Sequence, residues 1–196
     1  MLRVRLGRLL AMGHSVAAAL PGTASAATDC PGGPAPEGVT LCGLNAARAA
    51  YGLPALRPDA RLARVARAHS LDMVAHQYFA HDSLSGASFG SRLLGAGWMR
   101  SRRRWTVGEN LAWGTGPRAA PAYVVAAWLR SPPHRRVMLH PGFRFVGIGI
   151  ASGAPAPSAL PGATYTADFG TVRPRSRSAE RRWLLRRARR GATVTA

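Results

Sequence analysis

Apolar and polar positions recur with two different periods along the chain, and these periods divide it into helices and strands. After Asp59, a typical N-cap residue, apolar and histidine positions follow the i, i+3, i+4, i+7 spacing of an amphipathic helix that we expect to end near Gln77. Further helices are predicted at residues 41–52, 89–97 and 121–131. Strands are predicted at residues 105–114, 143–152 and 164–172.

The order of these elements indicates an α+β fold. Helices come first and in the middle, and the strands lie toward the end of the chain. The last two strands are separated by the Gly/Pro/Ala/Ser loop 153–162, which contains no helix. Parallel neighbours need a long crossover, so this connection favours an antiparallel pair. We therefore expect a small antiparallel sheet covered by helices.

One charged residue interrupts the apolar face of the first long strand, WTVGENLAWG. Val107, Glu109, Leu111 and Trp113 share that face, because side chains of a strand alternate with period 2. An unpaired carboxylate on a buried face is costly. Glu109 is therefore predicted to have a partner or a chemical role.

The ends of the chain are predicted to lie outside the folded domain. Residues 1–26 have the basic start, apolar run and A-x-A-like site of a secretory signal peptide, although a disordered basic N-terminus is the alternative. Residues 27–40 form a Pro/Gly-rich segment, and residues 173–196 form an Arg-rich tail. We expect a secreted protein, extracellular or periplasmic.

The charge of the chain is strongly positive. Its 27 basic residues are all arginine, and the formal net charge is +19, which predicts attraction to anionic surfaces. A helix over Ala179–Arg190 would make the tail an adhesive arm for an anionic membrane or polymer, and an unconstrained extension is the alternative. No recognised motif orders the charge, so no specific nucleic-acid partner is expected.

Two cysteines, Cys30 and Cys42, remain after the predicted cleavage. An even cysteine count in an exported protein favours a disulfide between them, and two free thiols are the alternative. A metal site at these cysteines is not expected, because no histidine lies near them in the sequence.

Histidines supply the candidate chemistry. His69 and His76 lie seven residues apart on one helix face, where a local hydrogen bond is favoured over metal ligation. His81 follows the second predicted helix, Glu109 lies in the first predicted strand, and His134 follows the helix-ending Pro132–Pro133 pair. Two histidines and one carboxylate suit Zn²⁺ with an open position for water, or acid–base chemistry without metal. A hydrogen-bond network that only fastens helices to the sheet is the third interpretation.

Four sequence blocks resemble the bacterial branch of the CAP superfamily, which includes cysteine-rich secretory proteins, antigen 5 and pathogenesis-related proteins. The blocks are YFAHDSLSG, VGENLAWG, WLRSPPHRRVMLHPGFRFVGIGI and YTADFGTV, in that order. The resemblance covers residues 41–172 and implies an α-β-α sandwich. It also implies a cleft with two His and two Glu, of which His81, Glu109 and His134 match.

The second Glu of that tetrad is missing, because the helix before His134 reads PAYVVAAWLRS and contains no acid. Family members are associated with divalent-metal binding, with lipid binding and, in scattered cases, with protease or nuclease activity. The resemblance thus implies a secreted binding module at the cell envelope, with Zn or another divalent metal as the possible cofactor. A metal-dependent hydrolase of cell-wall or peptide substrates and an anionic-polymer binder are the alternatives, and whether the protein is an enzyme stays open.

Overall fold

A computed structural model describes residues 33–99 and 103–174. Within these residues, five helices and four strands follow one another as α1 (Pro36–Ala50), β1 (Arg57–Pro58), α2 (Ala60–Ala75), α3 (Phe89–Gly95), β2 (Arg103–Thr115), α4 (Pro121–Arg130), α5 (Pro132–Met138), β3 (Phe145–Ser152) and β4 (Gly162–Pro174), with a 3₁₀ turn at Gly116–Ala119. The predicted signal peptide and all but the first two residues of the Arg-rich tail lie outside the described residues.

The four strands form one sheet in the order β1-β3-β4-β2. The three long strands pair antiparallel, as the helix-free loop between β3 and β4 predicts. The short β1 adds a parallel pair at the edge, with Arg57 opposite Phe145. The α+β prediction is confirmed, and the expected antiparallel sheet is corrected to a mixed one. Two extended residues before Asp59 are enough to make the parallel pair.

Helices cover both faces of the sheet. On one face, a buried cluster that includes Leu44 and Trp128 packs on Phe169 and its neighbours. On the other face α2 lies directly on β3, where a Cβ on Gly147 or Gly149 would come within 2.0 Å of the α2 backbone. Only glycine allows so close an approach. The result is an α-β-α sandwich.

The first helix begins earlier than the sequence indicated. The helix predicted to start at residue 41 starts at Pro36, so the last five residues of the Pro/Gly-rich segment 27–40 are helical. Proline is well suited to the first helical turn, where its missing N–H costs nothing. Cys42 lies within α1, whereas Cys30 is outside the described residues, so the disulfide stays a prediction.

The other helix ends follow local capping chemistry. The Oδ1 of Asp59 accepts hydrogen bonds from the N–H groups of Arg61 and Leu62 at 2.9 and 3.0 Å, which confirms it as the N-cap of α2. The helix ends at Ala75, two residues before the expected end. In the described part of the chain, no helix combines the length and the apolar character needed to cross a bilayer.

Candidate functional site

Glu109 lies in the middle of β2 on the face covered by α2. Its side chain is 2% exposed, and it stands directly opposite Asp168 of β4. Leu111, two residues further on the same face, is also buried. The alternation in the sequence therefore placed this carboxylate correctly on a buried face, where it needs partners.

Two basic side chains reach the two oxygens of Glu109. The Nδ1 of His81 lies 2.7 Å from Oε1, and the Nη2 of Arg92 lies 2.6 Å from Oε2. His81 comes from the segment after α2, and Arg92 comes from α3. The structure thus brings together two of the three predicted residues and adds an arginine that sequence reasoning missed.

Arg92 also fixes the segment that carries His81. Its Nη1 donates to the backbone oxygens of His81 at 2.7 Å and Ala87 at 3.3 Å. Its side chain is 12% exposed, so its charge is largely removed from water. A single guanidinium therefore neutralises Glu109 and holds the loop over it. The sequence did not predict this role, because no local pattern distinguishes Arg92 from the many other arginines of the chain.

His81 combines an exposed ring with a buried anchor. The hydrogen bond to Glu109 raises the pKa of His81, and burial and the charge of Arg92 oppose this shift. A carboxylate only accepts hydrogen bonds, so Nδ1 of His81 carries the proton. The side chain is 59% exposed, which leaves Nε2 as the ring nitrogen available to a ligand.

His134 lies near this pair but does not touch it through a hydrogen bond. On α5, its Nδ1 lies 2.8 Å from the Oγ of Ser131, and its backbone oxygen accepts from Asn110 at 3.0 Å. Burial lowers the pKa of His134, and the charge of His81 lowers it further. The two imidazoles are therefore within electrostatic range of each other.

Asp168 is a second carboxyl group beside Glu109. It is fully buried, and within the described residues neither of its oxygens meets hydrogen-bond geometry with a partner. Burial, followed by the charge and hydrogen-bonding influence of Glu109, raises the pKa of Asp168 well above its ordinary value. Glu109 is thus not the sole carboxylate of the site. The sequence pattern did not single out Asp168, because alternation places it on one face with Thr164 and Thr166 and not on an apolar face.

The predicted metal centre is not confirmed. No group of three or more His, Cys, Asp or Glu side chains within residues 33–99 and 103–174 is arranged to hold a metal ion. Both oxygens of Glu109 are engaged by His81 and Arg92, and the guanidinium brings a positive charge where a cation would bind. In this arrangement His81, Glu109 and His134 do not fit a three-ligand zinc site.

The remaining helical histidines make the local contacts that the sequence favoured. His69 is buried and donates from Nε2 to the backbone oxygen of Ala80 at 2.9 Å, and burial is the main cause of its lowered pKa. The Nδ1 of His76 lies 2.9 Å from Oδ1 of Asp72, one turn earlier on α2. Neither histidine contributes to a metal site among the described residues.

Comparison with known proteins places this arrangement in context. Residues 43–168 match the family model of CAP, the cysteine-rich secretory protein family. The uncharacterized protein YkwD of Bacillus subtilis (strain 168) is 37% identical over 111 residues, which are 56% of this chain and 40% of YkwD. The uncharacterized membrane protein YlbC of the same strain is 34% identical over 108 residues, 54% of this chain and 29% of YlbC. The chain therefore spans less than half the length of either relative.

Two solved structures share the fold. An extracellular protein containing a SCP domain from Bacillus anthracis str. Ames is 30% identical, with a TM-score of 0.51, and the match covers 66% of this chain and 38% of that one. An outer surface protein from Borrelia burgdorferi is 20% identical, with a TM-score of 0.53, covering 69% and 91% of the two chains. The second likeness is one of fold alone.

Proposed function

The chain belongs to the CAP family of cysteine-rich secretory proteins, and from this we propose that it acts outside the cytoplasm as a binding module of the cell envelope. Export is supported by the secretory layout of residues 1–26 and by the extracellular description of the similar Bacillus anthracis protein. The ligand-contacting group in this proposal is the imidazole of His81.

The observation that carries the proposal is the way His81 is held. The Nδ1 of its ring is anchored by the carboxylate of Glu109, whose side chain is only 2% exposed. The His81 side chain itself is 59% exposed. A side chain fixed in advance loses little rotational freedom when a ligand binds. The raised pKa of His81 favours its cationic form, and the formal charge of the chain is +19, so the ligand we propose is anionic.

Metal binding remains a prediction within this function. His81 and His134 would offer one imidazole nitrogen each, and Glu109 would orient His81, as carboxylates commonly do for metal-bound histidines. Two imidazoles are fewer than the three protein ligands of a typical catalytic zinc site. We therefore assign no step of the function to a metal ion.

The hydrolase alternative has less support than binding. A metal-activated water would need Glu109 as a ligand or as a base, yet one of its oxygens is held by His81 and the other by Arg92. Asp168 is buried behind Glu109 and is not accessible to a substrate. The arrangement supports a rigid contact surface better than a pair of catalytic carboxylates.

Sedimentation of the full chain with isolated bacterial cell walls and with phosphatidylglycerol vesicles tests the proposal. His81→Ala is compared with His76→Ala, which removes an imidazole of the same exposure that is also paired with a carboxylate. Because every variant keeps the Arg-rich tail, binding by the tail contributes equally to all of them. We expect His81→Ala to weaken binding at least about fivefold, roughly 1 kcal/mol, and His76→Ala to leave it unchanged.

Three results would overturn the proposal. These are no wild-type binding to either surface, equal binding by His81→Ala and wild type, and equal losses in both histidine variants. The last result would mean that any surface imidazole serves the same purpose, and that the buried anchor of His81 has no role in recognition.

A further inference from the structure

A separate cavity lies against α5, away from His81 and Glu109. Its volume is about 370 Å³, within the range of small-molecule sites. It is lined by Pro132, Arg135, Arg136, Leu139, His140 and Pro141. Two arginines, one histidine and three apolar side chains thus share one concave surface, and none of these lining residues is acidic.

The helical period separates this cavity from the candidate site. Positions 132, 135, 136 and 139 share one face of α5 and its C-terminal continuation, since successive residues turn by roughly 100°. His134 falls on the opposite side, where its backbone oxygen accepts from Asn110 of β2. Arg135 and Arg136 therefore line a different surface from the one that His134 faces.

The charges in the cavity are not neutralised by an ion pair among the described residues. Arg135 and Arg136 are exposed, and the ion pairs of the described residues include neither of them. Arginine binds oxyanions through several N–H groups in a fixed plane, which makes it the usual residue for phosphate recognition. Two guanidinium groups outside any of these ion pairs, on one concave surface, therefore favour an anionic occupant.

His140 adds a donor whose direction is fixed. Its Nδ1 accepts a hydrogen bond from the N–H of Gly142 at 3.0 Å, so in the neutral ring the proton sits on Nε2, which becomes a donor. Its ring packs against Phe143 with 4.5 Å between centroids. A Cβ at Gly142 would come within 2.7 Å of the His140 ring, so glycine is needed for this placement.

The floor of the cavity is held from inside the protein. The fully buried Arg48 donates from Nη1 to the backbone oxygens of Met138 at 2.8 Å and His140 at 3.2 Å. These bonds fix the chain where α5 ends and the cavity wall begins. The donors therefore sit on an ordered backbone, which reduces the entropy that a ligand must overcome.

From these contacts we propose that the α5 cavity is a second ligand site that takes a phosphate monoester. The two guanidinium groups and the Nε2–H of His140 match the three terminal oxygens of a phosphoryl group better than the two oxygens of a carboxylate. Leu139 and the two prolines receive the organic part of the ester. A soluble phosphoester and a lipid headgroup share this chemistry.

Titration of the full ¹⁵N-labelled chain at constant ionic strength tests the proposal, with inorganic phosphate, phenyl phosphate and phosphatidic acid vesicles as separate probes. We expect phenyl phosphate to shift the amide signals of residues 134–140 and 142 and to bind more tightly than inorganic phosphate. The Arg135→Ala/Arg136→Ala variant should weaken phenyl phosphate at least about tenfold. His140→Phe, which keeps a ring on Phe143 but removes the donor, should weaken it by a smaller factor.

Two controls make the outcome specific. Arg118→Ala removes an exposed arginine outside the cavity and should leave binding unchanged, and His81→Ala should also leave it unchanged, so this site and the proposed function can fail separately. Vesicle binding that depends on Arg135 and Arg136 assigns a lipid source, and its absence assigns a soluble ester. Absence of phenyl phosphate shifts at residues 134–140 and 142, or an equal loss in Arg118→Ala, would overturn the proposal.

Discussion

Two histidine–carboxylate pairs in this protein have histidines of similar exposure but carboxylates of very different burial. His76 and His81 have side chains that are 60% and 59% exposed, and each places Nδ1 within 2.9 Å of a carboxylate oxygen. The partner of His76 is Asp72, 34% exposed and one turn away on the same helix. The partner of His81 is Glu109, 2% exposed and on a strand of the sheet.

The difference shows what a buried partner adds. A solvent-exposed i, i+4 pair such as Asp72–His76 contributes only about 0.3–0.5 kcal/mol, because water screens both charges. Glu109 instead joins three parts of the chain, since it also binds Arg92 of α3. Exposure of the imidazole alone does not reveal which histidine is anchored, whereas the burial and the second partner of its carboxylate do.

The largest expected effect comes from removing the buried carboxylate. Glu109→Gln should lower the free energy of unfolding by about 3 kcal/mol, because it leaves the mostly buried Arg92 without a counter-charge. Asp72→Asn is the matched change in the exposed pair. It should cost less than about 1 kcal/mol, because its amide oxygen still accepts from Tyr78. Urea unfolding of both variants measures the difference. Equal losses would erase the distinction between the pairs.

A smaller effect of opposite sign is expected at Asp168. Its folded pKa is raised above the unfolded value of about 3.9, so its ionisation opposes folding. Stability contributed by the protonated form is lost as the pH rises from the unfolded pKa toward the folded one. Asp168→Asn cannot ionise, so its stability relative to wild type should increase from about pH 4 to about pH 8.

Urea unfolding of Asp168→Asn and wild type at several pH values measures this trend. The neutral amide keeps the size of the carboxylic acid, so its cost at about pH 8 should stay below about 1 kcal/mol. A loss of more than about 2 kcal/mol at that pH would mean that Asp168 folds as a paired carboxylate, and the description of the Glu109 surroundings would have to change.

The smallest effects separate the two histidines of the predicted site. The pKa of His81 is raised, so its contribution to stability is present below about pH 6.5 and is lost as the pH rises through its folded pKa. The pKa of His134 is lowered, so its contribution is present above about pH 6.5 and is lost as the pH falls. The side chain of His81 is largely exposed and His134 is only partly buried, so each effect should stay below about 1 kcal/mol.

Thermal unfolding of His81→Ala and His134→Ala between about pH 5 and about pH 8 checks these signs. Relative to wild type, the first variant should be most destabilised at the acidic end, and the second at the basic end. Parallel curves for the two variants would show that both histidines act as ordinary packing residues.

Local sequence rules predicted much of the fold and part of the site. The N-cap at Asp59 and the alternation in β2 each depend on a few neighbouring residues, so each could be predicted from the sequence. The parallel pairing of β1 could not be predicted, because a strand of two residues is too short to show an alternating pattern of apolar and polar positions. The Pro/Gly-rich composition before Leu41 also hid the start of α1, because the same proline suits a loop and a first helical turn.

The parts of the site that sequence reasoning missed depend on long-range contacts. Arg92 reaches Glu109 from 17 residues away through a long side chain, and nothing local distinguishes it from other arginines. Asp168 meets Glu109 only because β4 pairs with β2 in one particular register. Once that register is known, the absence of an acid from α4 no longer means that Glu109 is the only carboxylate.

The tautomer of His81 tests the central claim most directly, because the proposed function requires Nδ1 to be held by Glu109 and Nε2 to face the ligand. Long-range ¹H–¹⁵N spectra recorded above the pKa of His81 report which nitrogen carries the proton. We predict that Nδ1 carries it in the wild-type protein, with His76→Ala leaving the His81 signals unchanged. A neutral His81 protonated mainly at Nε2 would contradict the account, because its ring would then not be anchored on Glu109.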